Sequence, residues 1–243
     1  MLNFLPYIIV AICAYAIGSI SPSYIIGRIK GVDVKKTGSK NLGASNATMV
    51  LGWRFGVLIG ALDIAKGALA VLLTRFLAPD LPGIAYLAAT CAVLGHIFPF
   101  YLKFKGGKGF ATYIGIVAGL HFPVAVVLAV IIIAVALITD YIVVGTFTTV
   151  VAFPVFVYFY TGDLLSALLV GVASVVIIIK HWPNILRIKD GTEGKVRILF
   201  GKGHRERASR QVEELNALDK KEREEKADRA DDAKKKEGNE ENG

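Results

Sequence analysis

Apolar stretches of about 20 residues without a single charge recur along positions 1–200, and nothing else in the chain restricts its fold as much. A segment that is apolar on every face needs lipid or a protein interior around it. Charge is segregated accordingly. Residues 201–243 carry 12 basic and 13 acidic side chains, which leaves 16 basic and 7 acidic ones for the first 200 positions. A soluble domain is about one quarter charged, so a water-soluble globular protein is excluded. A porin-type barrel would show short alternating strands instead. The expected fold class is an all-α integral membrane protein, a polytopic helical bundle.

The apolar segments cover 4–26, 55–78, 83–102, 110–120, 123–138, 142–160 and 164–179. Turn chemistry separates them at Ala78-Pro79-Asp80, His121-Phe122-Pro123, Thr139-Asp140 and Thr161-Gly162-Asp163. The fourth is short: its residues reach about 17 Å as a helix, against a hydrocarbon core of roughly 30 Å. It is expected as a half-span, a re-entrant piece, or one arm of a longer bent helix. The first has no basic region before it and reads as an uncleaved span, not a signal peptide. Cys13 and Cys91 both lie in apolar runs, far from any clustered ligand, so neither a zinc site nor a disulfide framework is expected.

Basic side chains concentrate in three connections. Arg28, Lys30, Lys35, Lys36, Lys40 and Arg54 lie in one, Lys103, Lys105 and Lys108 in the next, and Lys180, Arg187, Lys189, Lys195 and Arg197 follow the last span. The positive-inside rule puts all three in the cytoplasm. The N-terminus is then outside and the C-terminus cytoplasmic, which requires an odd number of spans: seven, or alternatively five if the last four segments merge into two. Residues 201–243 read as a charged cytoplasmic tail, helical or disordered, after a membrane domain over 1–200.

The same three connections hold nearly all the non-repetitive polar sequence. The first contains Gly18-Ser19 and then Gly38-Ser39-Lys40-Asn41-Leu42-Gly43-Ala44-Ser45-Asn46. Small and amide residues at this density can form a tight loop whose N–H groups and hydroxyls converge on an anion, although an ordinary linker has the same composition. The second runs from Gly95-His96 to Lys105-Gly106-Gly107-Lys108-Gly109 at the start of an apolar segment. Lysines, glycines and a helix N-terminus together make an anion site; lipid attraction alone would not need the paired glycines. The third is His181-Trp182-Pro183-Asn184 with Arg187. His121 and His204 read as bystanders. Asp63 and Lys66, three apart on one helical face, are expected to pair within the membrane.

In this order and at these membrane positions, the three segments resemble the bacterial acyl-phosphate:glycerol-3-phosphate acyltransferases, the PlsY family. The resemblance covers about residues 1–200 and includes Asp63-x-x-Lys66-Gly67. It implies transfer of an acyl chain from acyl phosphate to the sn-1 hydroxyl of glycerol 3-phosphate, giving 1-acylglycerol 3-phosphate and phosphate in phospholipid biosynthesis. It implies Ser39, Lys108, His181 and Asn184 as catalytic residues. Gly38, Lys40, Asn41, Gly43, Asn46, Lys105, Gly106 and Gly107 are implied as phosphate- or substrate-binding residues. The implied partners are the two substrates and membrane lipids, with no cofactor, no metal and no nucleic acid, in a bacterial plasma membrane with the active site on the cytoplasmic side. Two positions depart from the family pattern: Lys40 stands where a second glycine is usual, and Met49 where an arginine is usual. The alternative reading, a small anion or phosphoester transporter using the same loops, requires polar groups lining a path to the outer side.

The loop charges give a direct test. Single cysteines at Lys36, Lys105 and Lys189, in a background lacking Cys13 and Cys91, should resist an impermeant thiol reagent outside intact cells, and one at Asp163 should label. Outside labelling of position 105 would contradict the topology.

Overall fold

The computed structural model describes residues 4–196, and every regular element among them is helical; the charged tail expected over 201–243 lies outside the described residues. The first apolar run is broken: α1 (Leu5–Ser19) ends at Ile20, and α2 (Pro22–Ile29) restarts behind an Ser21 N-cap that accepts from the Tyr24 N–H. Pro22 explains the break, because it has no N–H to continue the helix and sits comfortably at a helix start. The 33–43 loop leads into α3 (Ala44–Leu51) and the long α4 (Trp53–Leu77). Next come α5 (Ile84–Ile97), a short 3-10 turn over Phe100–Leu102, α6 (Phe110–Leu120), α7 (Phe122–Thr139), α8 (Ile142–Thr161) and α9 (Leu164–Lys189). The last four apolar segments are thus four separate helices.

Six helical stretches are long and apolar enough to cross a membrane, with α1 and α2 counted together; α6 is the shorter seventh. Contacts along α6 show why a short helix is stable here. It starts where the Gly107 N–H meets the His96 carbonyl, at the end of α5, and finishes where the His121 ring meets the Tyr86 hydroxyl, near the start of α5. It therefore runs alongside α5 from one end to the other. Tyr113, Ile116 and Val117 are fully buried.

Small residues permit this packing. A Cβ on Gly115 would lie 2.0 Å from the Ile64 carbonyl oxygen, and one on Gly67 would lie 2.3 Å from the Thr112 carbonyl oxygen, so α4 and α6 cross backbone to backbone. Gly18 and Gly95 do the same for α1 and α5, with 2.0 Å to the Ala92 oxygen and 2.2 Å to the Tyr15 oxygen. Lipid supplies no hydrophobic force between helices, and close approach of this kind replaces it. At the far end of α6, Arg75 of α4 donates to the Gly119 and Leu120 carbonyls at 2.9 and 3.1 Å, satisfying carbonyls that a helix end otherwise leaves without donors.

The Asp63–Lys66 pair forms as expected, at 2.8 Å. It has two further attachments. His96 Nδ1 of α5 lies 3.3 Å from Asp63 Oδ1, and Lys66 Nζ donates to the Ile20 carbonyl at 2.6 Å. Ile20 sits at the break between α1 and α2, so its carbonyl has no donor from a continuing helix. A buried charged cluster thus ties α4 to α5 and caps the break in the first span.

Candidate active site

All three polar connections gather at the end of the bundle where α5 stops and α6 begins. The 33–46 loop is held by one side chain. Asn46, fully buried in α3, accepts from the Ser39 N–H at 2.7 Å through Oδ1 and donates through Nδ2 to the Val34 and Thr37 carbonyls, each at 3.1 Å. Asn46, which the resemblance implies at the substrate, is the staple of its own loop. Gly38 adopts a φ of +62°, and a Cβ there would lie 2.4 Å from Asn46 Oδ1. Lys40 also takes a left-handed conformation, with φ of +57°. That accounts for the glycine usual at this position: an L-residue here costs on the order of 1–2 kcal/mol. Ser39 and Lys40 are exposed, while Asn41 and Gly43 are half-buried. Lys35 Nζ reaches across to the Leu102 carbonyl at 3.2 Å, which joins the first connection to the second.

In the second connection the glycines serve close approach. The Gly106 N–H donates to the Ile97 carbonyl at 3.0 Å and the Gly107 N–H to the His96 carbonyl at 3.2 Å. A Cβ on Gly106 would lie 2.1 Å from the His96 carbonyl oxygen, and one on Gly107 would lie 2.2 Å from His96 Nε2. These two N–H groups are therefore occupied by the end of α5. Lys105 is exposed. Lys108 is turned inward just before Gly109, the N-cap residue of α6, so the ammonium sits beside the positive end of a helix.

Lys108 Nζ donates to Asn184 Oδ1 of α9. Asn184 Nδ2 donates to Glu193 Oε1 at 2.6 Å, and Arg187 Nε donates to Glu193 Oε2 at 2.7 Å. His181 lies one turn earlier, its ring edge-on to Phe110 at 6.4 Å, with Nδ1 2.9 Å from the Ile177 carbonyl. A carbonyl only accepts, so Nδ1 carries the hydrogen, and Nε2 of the neutral ring is left with a free lone pair. Burial pushes the Lys108 ammonium down to about 8; repulsion from Arg187 acts in the same direction and Glu193 opposes it.

Of the residues expected at the site, Lys108, His181 and Asn184 converge, with Gly106 and Gly107 supporting them. Lys105 is turned to the surface. Glu193 and the link from His96 to Gly107 were not foreseen. The signal for Glu193 was the Asp190-Gly191 stop at the end of α9. Gly191 takes φ of +69°, and the Thr192 and Glu193 N–H groups return to the Arg187 carbonyl at 2.8 and 3.1 Å.

Fold and site together define an integral membrane helical bundle whose polar connections bring Lys108, His181, Asn184 and Arg187 together at one end. The family model for glycerol-3-phosphate acyltransferase matches residues 8–191, and the chain belongs to that family. Glycerol-3-phosphate acyltransferase 1 of Oceanobacillus iheyensis is 34% identical over 206 residues, covering 81% of this chain and 98% of that protein. The Mesorhizobium japonicum enzyme is 39% identical over 190 residues, covering 78% and 95%. Among solved structures, the glycerol 3-phosphate form of PlsY, an integral membrane glycerol 3-phosphate acyltransferase, superposes with a TM-score of 0.74 at 30% identity, covering 80% of this chain and 99% of that one. The lysophosphatidic acid form gives 0.70 at 32% identity, covering 78% and 94%.

The position of Lys108 makes a prediction about pH. With its pKa pushed down to about 8, the free enzyme's kcat/KM should fall as pH rises through that value, because the ammonium is lost. Lys108→Arg should abolish this limb, since a guanidinium keeps its charge. Lys108→Ala should lower kcat/KM on the order of 10–150-fold, the cost of one charge-assisted hydrogen bond. A pH–rate profile of the three proteins checks both statements.

Proposed function

We propose that this protein transfers an acyl chain from acyl phosphate to the sn-1 hydroxyl of glycerol 3-phosphate at the cytoplasmic face of the bacterial plasma membrane. The products are 1-acylglycerol 3-phosphate and inorganic phosphate. The observation that carries the reading is the convergence of Lys108 at the α6 N-terminus with Asn184 and Arg187 of α9, in a chain of the glycerol-3-phosphate acyltransferase family. Seven crossings, with the N-terminus outside and the C-terminus cytoplasmic, are the topology that suits it. Positions 1–200 form the membrane acyltransferase domain.

Acyl phosphate is a mixed anhydride whose phosphate is already a good leaving group. Catalysis then needs positioning and charge stabilisation, not a covalent nucleophile. Lys108, with the α6 N-terminus, takes a substrate phosphate. Ser39, exposed on the 33–46 loop, offers its hydroxyl to a substrate phosphate. The sn-1 oxygen attacks the acyl carbon, a C–O bond forms, and the acyl–phosphate bond breaks with its electron pair leaving on phosphate. The hydroxyl's proton goes to His181 Nε2, whose lone pair the Nδ1–H bond to Ile177 keeps available. Lys40 supplies loop charge that Met49 does not. The transporter alternative is not favoured: Tyr113 bonds Ser174 at 2.8 Å and Thr90 bonds the Leu169 carbonyl at 2.7 Å, so these polar groups are paired internally and do not face a channel.

Purified protein should release phosphate from acyl phosphate only when glycerol 3-phosphate is present, and acyl-CoA should not replace the donor. Equal release without the acceptor, or efficient turnover with acyl-CoA, would contradict the reading.

A further inference from the structure

Glu193 is an acid in a site built to receive anions. Its carboxylate is largely buried, its side chain 15% exposed, and it makes two charge-assisted contacts with α9. Both partners are left in a definite state. Asn184 has an amide whose two ends are chemically different. With Nδ2 donating to Glu193, Oδ1 must face Lys108, and it does. Arg187 presents a fork of five N–H donors. Glu193 takes the Nε hydrogen and leaves the terminal nitrogens available, and the Arg187 side chain remains 42% exposed. A flipped Asn184 would put an NH2 group against an ammonium, and a released Arg187 would have several rotamers.

The carboxylate reaches this position because α9 ends in a return turn. Thr192 and Glu193 both donate backbone N–H groups to the Arg187 carbonyl, so the chain folds back over its last turn. Beyond it, the Val196 N–H bonds the Asp140 carbonyl at 2.8 Å, which fixes the following segment to the α7–α8 connection.

We infer that Glu193 is a positioning residue for phosphate recognition: one carboxylate fixes the Asn184 amide and the Arg187 guanidinium, so that Lys108 and the terminal nitrogens of Arg187 meet the substrate phosphate together. This makes Arg187 a phosphate-facing cation and gives the site two positive charges from opposite sides, Lys108 before α6 and Arg187 on α9. The role rests on the acyltransfer reading above.

Wild-type turnover dependent on glycerol 3-phosphate tests that reading first, and Glu193 is then judged only among active variants. Glu193→Gln keeps the shape but loses the charge. It should raise the KM for glycerol 3-phosphate about tenfold, with a smaller change in kcat, since a hydrogen bond to a charged group is weakened. Glu193→Asp keeps the charge on a shorter arm and should also raise KM.

The pH profile separates positioning from a merely structural role. Arg187, His181 and Asn184 on α9 and Glu193 beyond it face Lys108, while His96 of α5 lies behind Gly107. Glu193 raises the Lys108 pKa and Arg187 lowers it. Removing the carboxylate charge should therefore move the alkaline limb of kcat/KM to lower pH in Glu193→Gln and leave it in place in Glu193→Asp. An unchanged KM with an unmoved limb in Glu193→Gln would overturn the proposal. So would a lower KM, which would mean that the carboxylate competes with phosphate for the site.

Discussion

A helix that ends inside a low-dielectric bundle cannot leave its last carbonyls to water, and α5 ends in such a place, with Ile97 fully buried and His96 nearly so. The Gly106 and Gly107 N–H groups accept that task by pairing with the Ile97 and His96 carbonyls. Only glycine fits, because any Cβ would collide with the His96 backbone or ring. The consequence is geometric. The chain is pinned against the end of α5 and turns directly into α6, so Lys108 is delivered at the α6 N-terminus facing α9.

The intramembrane ions support the same corner. Asp63 and Lys66 would be expensive to bury separately. Paired with each other, and attached to His96 and the Ile20 carbonyl, they fix the end of α5 relative to α4 and to the break in the first span. Packing by glycines, a buried charged cluster and a backbone-capped helix end thus act on one place in the molecule. Lys108 is the side chain whose placement depends on all three.

Much of this was legible in the sequence, and the limits have physical causes. The length of the uncharged apolar runs and the segregation of charge pointed to the helical membrane class. Three-residue spacing gave the Asp63–Lys66 pair. The shortness of α6 was visible, but not the reason it is tolerated, which is backbone crossing at Gly67 and Gly115 with helices distant in sequence. Paired glycines beside lysines read as a ligand-wrapping loop, yet Gly106 and Gly107 bond the protein's own carbonyls; composition cannot tell an internal acceptor from an external one. Asn46 was placed at the substrate by the family resemblance, and its side chain holds its own loop. Glu193 escaped notice because an isolated acid near a charged tail has no pattern until the Gly191 turn brings it back to Arg187.

Lys108 and Asn184 are 76 positions apart in sequence, and the account requires them to act as one unit. The direct test is a double-mutant cycle on kcat/KM for glycerol 3-phosphate, using Lys108→Ala, Asn184→Ala and the double variant. Groups sharing one ligand should couple by at least about 1 kcal/mol, so the double variant should be little worse than the more damaged single one. Losses that simply add would mean that the α6 N-terminus and α9 do not form a common site, and would contradict the account.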